Sequence, residues 1–199
     1  LSTIAYKIKG ETTYALEGSI FMAGAIIDWL KNNLQLIDNY HELHDILLNS
    51  EINPEVVMVP AFTGLGAPHW KPNSRAFISG LTRDSNKNDL IVASIQSVSL
   101  QTYDLIEAIH EDTHDLFEKS PQGIKVDGGM TENQWFLQNL SDICDTKIIK
   151  SSEQEATALG AATLSALGSN EINQLSEFNI NSNEIVEVLP IIKKQLRSK

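Results

Sequence analysis

The chain has 199 residues, of which 42% are hydrophobic and 21% charged. That suits one globular domain, or a large domain with a tail, and suffices to bury a core. The net charge is −11, with 15 lysines and arginines against 26 aspartates and glutamates, which leaves no basic stripe to follow a nucleic-acid backbone.

The chain opens at Leu1 rather than methionine, as a piece of something longer would. Residues 1–8 and 12–21 read as two strands joined by a turn at Lys9-Gly10-Glu11, because Ile4, Tyr6 and Ile8 alternate with small or polar side chains. From Met22 the period becomes helical, with Ala25, Ile26, Trp29, Leu30, Leu34 and Ile37 on one face. Gly24 falls where strand gives way to helix. A glycine inside a helix costs up to about 1 kcal/mol relative to alanine, so close approach by a ligand or another backbone is the expected compensation. Residues 41–48 form a second helical stretch through Leu43, Ile46 and Leu47; His41, His44 and Asp45 share a surface face.

Residues 56–62 are an apolar run that must end or kink at Pro60. Residues 64–73 read as a loop, in which His69 is placed to meet a ligand, and 76–80 as a short strand. Asn88-Asp89 is positioned to cap a long helix to Ile109, with Leu90, Ala93, Ile95, Val98, Tyr103, Leu105 and Ile106 as apolar positions. A strand at 124–126 leads into a helix ending near Ile143. Next come a strand at 146–150 and a helix at 156–167, dense in small residues and therefore suited to tight packing or to one wall of an adenine slot. Glu153 and Glu155 precede it and favour its dipole. Beyond Gly168 the chain is polar, with short helical patches and a basic run at Lys193, Lys194, Arg197 and Lys199 that reads as the cationic end of a terminal helix. Strands early and alternating helices later predict an α/β fold, a mixed sheet flanked by helices.

Cys144 is the only cysteine, which excludes an intramolecular disulfide and a cysteine zinc site. Among Leu140, Ile143 and Ile148 it reads as a small core residue, and this usage fits a cytoplasmic protein. No apolar run approaches the roughly 18 residues of a membrane span. The five histidines show no metal spacing.

The most informative stretch is Val126-Asp127-Gly128-Gly129-Met130-Thr131-Glu132-Asn133. A strand that ends in two glycines and turns into a helix lets a flat ligand lie on the backbone, since neither glycine has a Cβ to hold it off. The first amides of the helix face the same space as unpaired donors. A nucleotide suits such a corner, and a plain tight turn is the alternative reading. Asp127 is the best placed of the carboxylates.

Several separate segments resemble one family. They are Tyr14-Ala15-Leu16-Glu17-Gly18 with Phe21-Met22-Ala23-Gly24-Ala25, the run from Val59 through Gly64-Leu65-Gly66-Ala67-Pro68-His69-Trp70, and Gly80-Leu81-Thr82-Arg83. Asp89-Leu90 with Ala93-Ser94-Ile95-Gln96, the Val126-Asp127-Gly128-Gly129 turn with Asn133, and Ala156-Thr157-Ala158-Leu159-Gly160-Ala161-Ala162 complete the set. Over residues 12–167 these resemble the C-terminal half of the FGGY family of carbohydrate kinases, and the Thr63 to Trp70 loop resembles its glycerol-phosphorylating branch.

The resemblance implies an actin-like, ribonuclease-H-like ATPase domain at 1–167 and a helical tail at 168–199. It implies ATP and Mg²⁺ as cofactors, nucleotide and glycerol as partners, and an open question of homo-oligomer. By the family pattern Gly24, Asp28, Gly129 and Asn133 fall at nucleotide-binding positions; Asp28 stands where the family often carries glutamine. The family's catalytic aspartate, its glycerol-binding residues and its first phosphate loop lie upstream of this segment, so no catalytic residue is assigned here and the chain alone is expected to be inactive. Another FGGY kinase, acting on a pentulose or hexulose, and a non-catalytic actin-like nucleotide-binding module are the competing readings.

Overall fold

The computed structural model describes residues 2–16, 18, 20–113, 123–150, 156–177 and 186–191. Glu153, Glu155 and the basic run from Lys193 lie outside the described residues. The chain divides into two compact units, Leu1–Ser120 and Pro121–Lys199.

The first unit opens with strands β1 (Ser2–Ile8) and β2 (Glu11–Leu16), paired antiparallel. Lys9 and Gly10 between them have φ of +51° and +90°, the paired positive values of a two-residue hairpin turn. Ile4 faces Tyr14 while Tyr6 faces Thr13, so Ala5 is an extra residue that bulges the first strand. The second strand stops at Leu16, short of the expected 21.

Helix α1 (Gly24–Asp28) continues into a π turn, Trp29–Asn33, in which the Leu34 amide donates to the Trp29 carbonyl at 3.1 Å. Ile26, Ile27 and Leu30 are buried, as is Ile37 beyond the turn. Ala25 and Leu34, placed on the buried face by a 3.6-residue period, are exposed. The wider π turn rotates Leu34 away from the stripe, and α1 is too short to carry a long one. Trp29 packs on Phe62 with ring centroids 4.7 Å apart.

Helix α2 (Tyr40–Asn49) is capped by Asn39, whose Oδ1 accepts from the amides of His41 at 2.9 Å and Glu42 at 3.0 Å. The Asp38 amide donates to Glu42, and that bond, with Lys87 beside it, holds the Glu42 carboxyl below its usual range. His41 Nδ1 and Asp45 Oδ2 form an exposed pair at 3.0 Å.

Strand β3 (Val57–Val59) ends at Pro60 and pairs antiparallel with β4 (Phe77–Ser79). Helix α3 (Lys87–Thr113) follows. Its cap is Asn86, not Asn88-Asp89: Asn86 Oδ1 accepts from the Asn88 amide at 2.7 Å, and Asp89 reaches back to the Asn86 amide at 2.8 Å. The pattern is a capping box started two residues earlier than the sequence reading. From Ile91 to Ser99 every residue except Gln96 is buried, including three serines. Ser94 and Ser97 donate to the carbonyls of Leu90 and Ser94, each at 2.6 Å, which lets hydroxyls sit inside an apolar core.

In the second unit β5 (Ile124–Val126) lies parallel to β6 (Ile148–Lys150), with helix α4 (Gln134–Cys144) between them in sequence. Phe136, Leu137 and Leu140 of α4 and Ile148 of β6 are buried. Cys144 is half-buried rather than enclosed. Past Gly168, where helical patches were expected, a 3-10 turn at Leu175–Glu177 is followed by strand β7 (Val186–Val188), antiparallel to β6. Ser141 Oγ donates to the Thr146 and Val188 carbonyls, at 2.8 and 3.2 Å, and Asp142 accepts from the Ile191 amide at 2.7 Å. Helix α5 (Ala156–Gly168) was read as a tightly packed element, yet none of its described residues is buried.

Gly80, just past β4, combines a φ of +79° with a site where a Cβ would collide with the backbone carbonyl of Glu55. Gly80→Ala in the full polypeptide that carries this chain should therefore lower the unfolding free energy by about 2 kcal/mol or more. A urea melt that moves by less than a quarter of that would refute the constraint.

Candidate functional site

Because β5 and β6 run parallel, with Val126 opposite Lys150, their carboxyl ends open on the same edge. That edge is where parallel sheets receive ligands. From Val126 the chain passes exposed Asp127 to Gly128, whose φ of +89° and ψ of 169° only glycine adopts without strain. A 3-10 turn, Gly129–Glu132, follows, and Asn133 then caps α4 by accepting from the Phe136 amide at 3.0 Å. That cap uses the Asn133 side-chain oxygen and leaves its Nδ2 hydrogens for other acceptors. Inside the turn, the Thr131 hydroxyl donates to the Gly128 carbonyl at 2.7 Å. Lys150 Nζ meets Glu132 Oε1 at 2.8 Å.

The glycines differ in why they are glycines. At Gly64, Gly80 and Gly123 a Cβ would press on neighbouring backbone. Gly128 is fixed by its dihedrals. Gly129 has neither reason: its φ is not positive, and a Cβ there would meet nothing within 4 Å. Gly24 is the same, and it sits exposed at the first position of α1 rather than inside a helix against another backbone. Asp28 lies four residues on from Gly24, exposed on the same helical face. The structure thus brings Gly24 together with Asp28 in the first unit, and Gly129 together with Asn133 in the second.

Among the ion pairs of the described residues that sequence reasoning missed, two lie beside these candidate sites. His69 Nε2 lies 3.0 Å from Asp104 Oδ2 on α3, beside a shallow cleft that Phe21, Met22, Gly66 and Gln101 also line. Lys150 and Glu132 are the second pair. Both join residues far apart in sequence, and no local period signals such a contact. Among the described residues, no group of three or more His, Cys, Asp and Glu side chains is placed to hold a metal, and no helix is long and apolar enough to cross a membrane.

The model of the FGGY family of carbohydrate kinases, C-terminal domain, matches residues 3–169. The glycerol kinase of Alteromonas mediterranea is 44% identical over 177 residues, which is 89% of this chain and 35% of that protein. Glycerol kinase 1 of Pseudomonas aeruginosa is 42% identical over 84% of this chain and 33% of its own length. The chain therefore spans about a third of the length of the curated relatives it matches. Among solved structures, Plasmodium falciparum glycerol kinase with ADP superposes with a TM-score of 0.84, at 33% identity, over 99% of this chain and 39% of that one. A xylulose kinase from Lactobacillus acidophilus shares the fold, with a TM-score of 0.75 at 22% identity over 91% of this chain and 36% of its own. The fold is the actin-like, ribonuclease-H-like one of these kinases.

The two adjacent glycines should separate in a stability measurement. Gly128→Val should cost about 1–3 kcal/mol, because valine does not tolerate that backbone conformation. Gly129→Val should stay within about 0.5 kcal/mol of the parent, as an exposed substitution with no neighbour does. Equal losses on denaturant unfolding would mean that Gly129 also serves the turn itself.

Proposed function

This chain belongs to the FGGY family of carbohydrate kinases, and from that premise we propose that it is the nucleotide-binding half of an ATP-dependent glycerol kinase. The reaction moves the γ-phosphoryl of ATP to a terminal hydroxyl of glycerol, giving ADP and glycerol 3-phosphate. The observation that carries the reading is the 44% identity to a glycerol kinase over most of the chain. The xylulose kinase likeness at 22% identity supports only the fold, which makes a pentulose kinase the weaker reading. A non-catalytic module has no counterpart among these relatives.

In this reading Gly24 and Gly129 are bare so that the nucleotide can approach the backbone, where a Cβ would stand in open space and not against protein. Asn133 Nδ2 donates to the nucleotide while its oxygen holds the start of α4. Asp28 is also assigned to the nucleotide; as a carboxylate it serves at the ribose or a solvent edge, since it would repel phosphate. No residue of this chain is assigned to Mg²⁺, which would be held mainly through the phosphates of the nucleotide. When bound it would supply charge neutralisation for phosphoryl transfer. Residues 1–167 are assigned to the C-terminal nucleotide domain, and the stretch from 168, read as a tail, includes strand β7 of its three-stranded sheet. No catalytic base is assigned within the chain, so the acid-base step belongs to the rest of a longer polypeptide, and the protein acts in the cytoplasm.

The full polypeptide should phosphorylate glycerol in preference to xylulose or ribulose when ATP consumption is measured across that panel; a preference for a pentulose would overturn the substrate. Gly129→Val should weaken its ATP affinity at least about tenfold with the fold intact, because a branched side chain takes up the space left for adenosine. Unchanged affinity in a calorimetric titration would return Gly128-Gly129 to the plain-turn reading.

A further inference from the structure

We propose that Lys150 is a positioning residue for the glycine turn, acting through its ion pair with Glu132, and not a phosphate ligand; this rests on the nucleotide reading above. The turn Gly129–Glu132 is a 3-10 segment, a form with poorer hydrogen-bond geometry than an α-helix. Its bonds include ones closed within itself: Thr131 amide and hydroxyl to the Gly128 carbonyl at 3.0 and 2.7 Å, and Asn133 amide to the Met130 carbonyl at 3.1 Å. Such bonds shape the turn, and buried Thr131 with the Asn133 cap joins it to α4, but none of these bonds reaches β6. Gly128 and Gly129 have no side chains to anchor it, and glycine backbone is the most costly to order.

Lys150 supplies an external tie. It is the last residue of β6, opposite Val126, from which the turn departs. Its side chain is 20% exposed, so its stem lies along protein, and its ammonium reaches Glu132 at the far end of the turn at 2.8 Å. The strand that frames the site thus holds the end of the turn opposite to the one joined to β5. Glu132 engages the ammonium, which disfavours Lys150 as a partner for a polyanion. A turn held in place before ligand arrives loses less entropy on binding.

The test uses the full polypeptide with Lys150→Met, Glu132→Gln and the swap Lys150→Glu with Glu132→Lys. ATP and adenosine affinities are measured by calorimetry, and exchange of the 129–133 amides is measured without nucleotide. A half-exposed pair of this kind predicts that each single variant weakens ATP and adenosine alike, by about threefold, and speeds exchange in the turn. The swap should restore both. A loss confined to ATP that the swap fails to restore would make Lys150 a direct phosphate contact and overturn the proposal. So would unchanged affinity and unchanged exchange. If the unmodified protein binds neither ligand while the single variants still loosen the turn, the nucleotide reading falls and the role in binding falls with it, leaving a structural tie.

Discussion

The first unit depends on one constraint, that a helix buried on all sides must find partners for most of its polar groups. From Ile91 to Ser99 of α3, Ser94 and Ser97 are small enough to fit and donate back to their own helix, while the buried Ser99 hydroxyl has no partner among the described residues. Ser94 also lies against Met58 of β3, at 3.1 Å from its sulfur. Sheet, loop and α2 can then close on a helix with no outward face along that stretch. The cap at Asn86 fixes where this buried stretch begins.

The second unit solves a different problem with fewer residues. Three strands of three residues each hold little on their own, and α4 contributes both apolar and polar contacts to them. Phe136, Leu137 and Leu140 bury carbon against the sheet, while Ser141, Gln138 and Asp142 take up backbone groups of the segment around β7. The polar groups matter because the strands are too short to satisfy every carbonyl and amide at their ends. Adjoining apolar and polar faces of α4 therefore hold the sheet and the segment around β7 together.

Much of this was legible in the sequence. Ile124–Val126 was bounded to the residue because the apolar run stops at Asp-Gly-Gly, and β3 ended at Pro60 because proline has no amide for the ladder. Gly129 stands out by its neighbours, between a strand end and a helix start, and its role toward a nucleotide belongs to the proposal. What failed to show was anything set by distant packing. The burial of Ser94, Ser97 and Ser99 contradicts their polarity and follows only from what surrounds α3. The π turn after Asp28 has no residue signature, and it displaced Leu34 from its expected face. Strand β7 is Val-Glu-Val, too short to carry a period, and it becomes a strand because β6 offers it an edge. The ion pairs of Lys150 and His69 bridge 18 and 35 positions.

The position of β7 carries one more consequence. It covers the side of β6 that β5 leaves open, so residues 186–188 shield the backbone of an Ile-Ile-Lys strand from solvent. A chain cut short after α5 would keep every residue of the glycine turn yet present a bare apolar strand margin, the kind that recruits other chains by intermolecular pairing. Residues 186–188, within a stretch whose sequence reads as polar with short helical patches, thereby act as a guard against self-association.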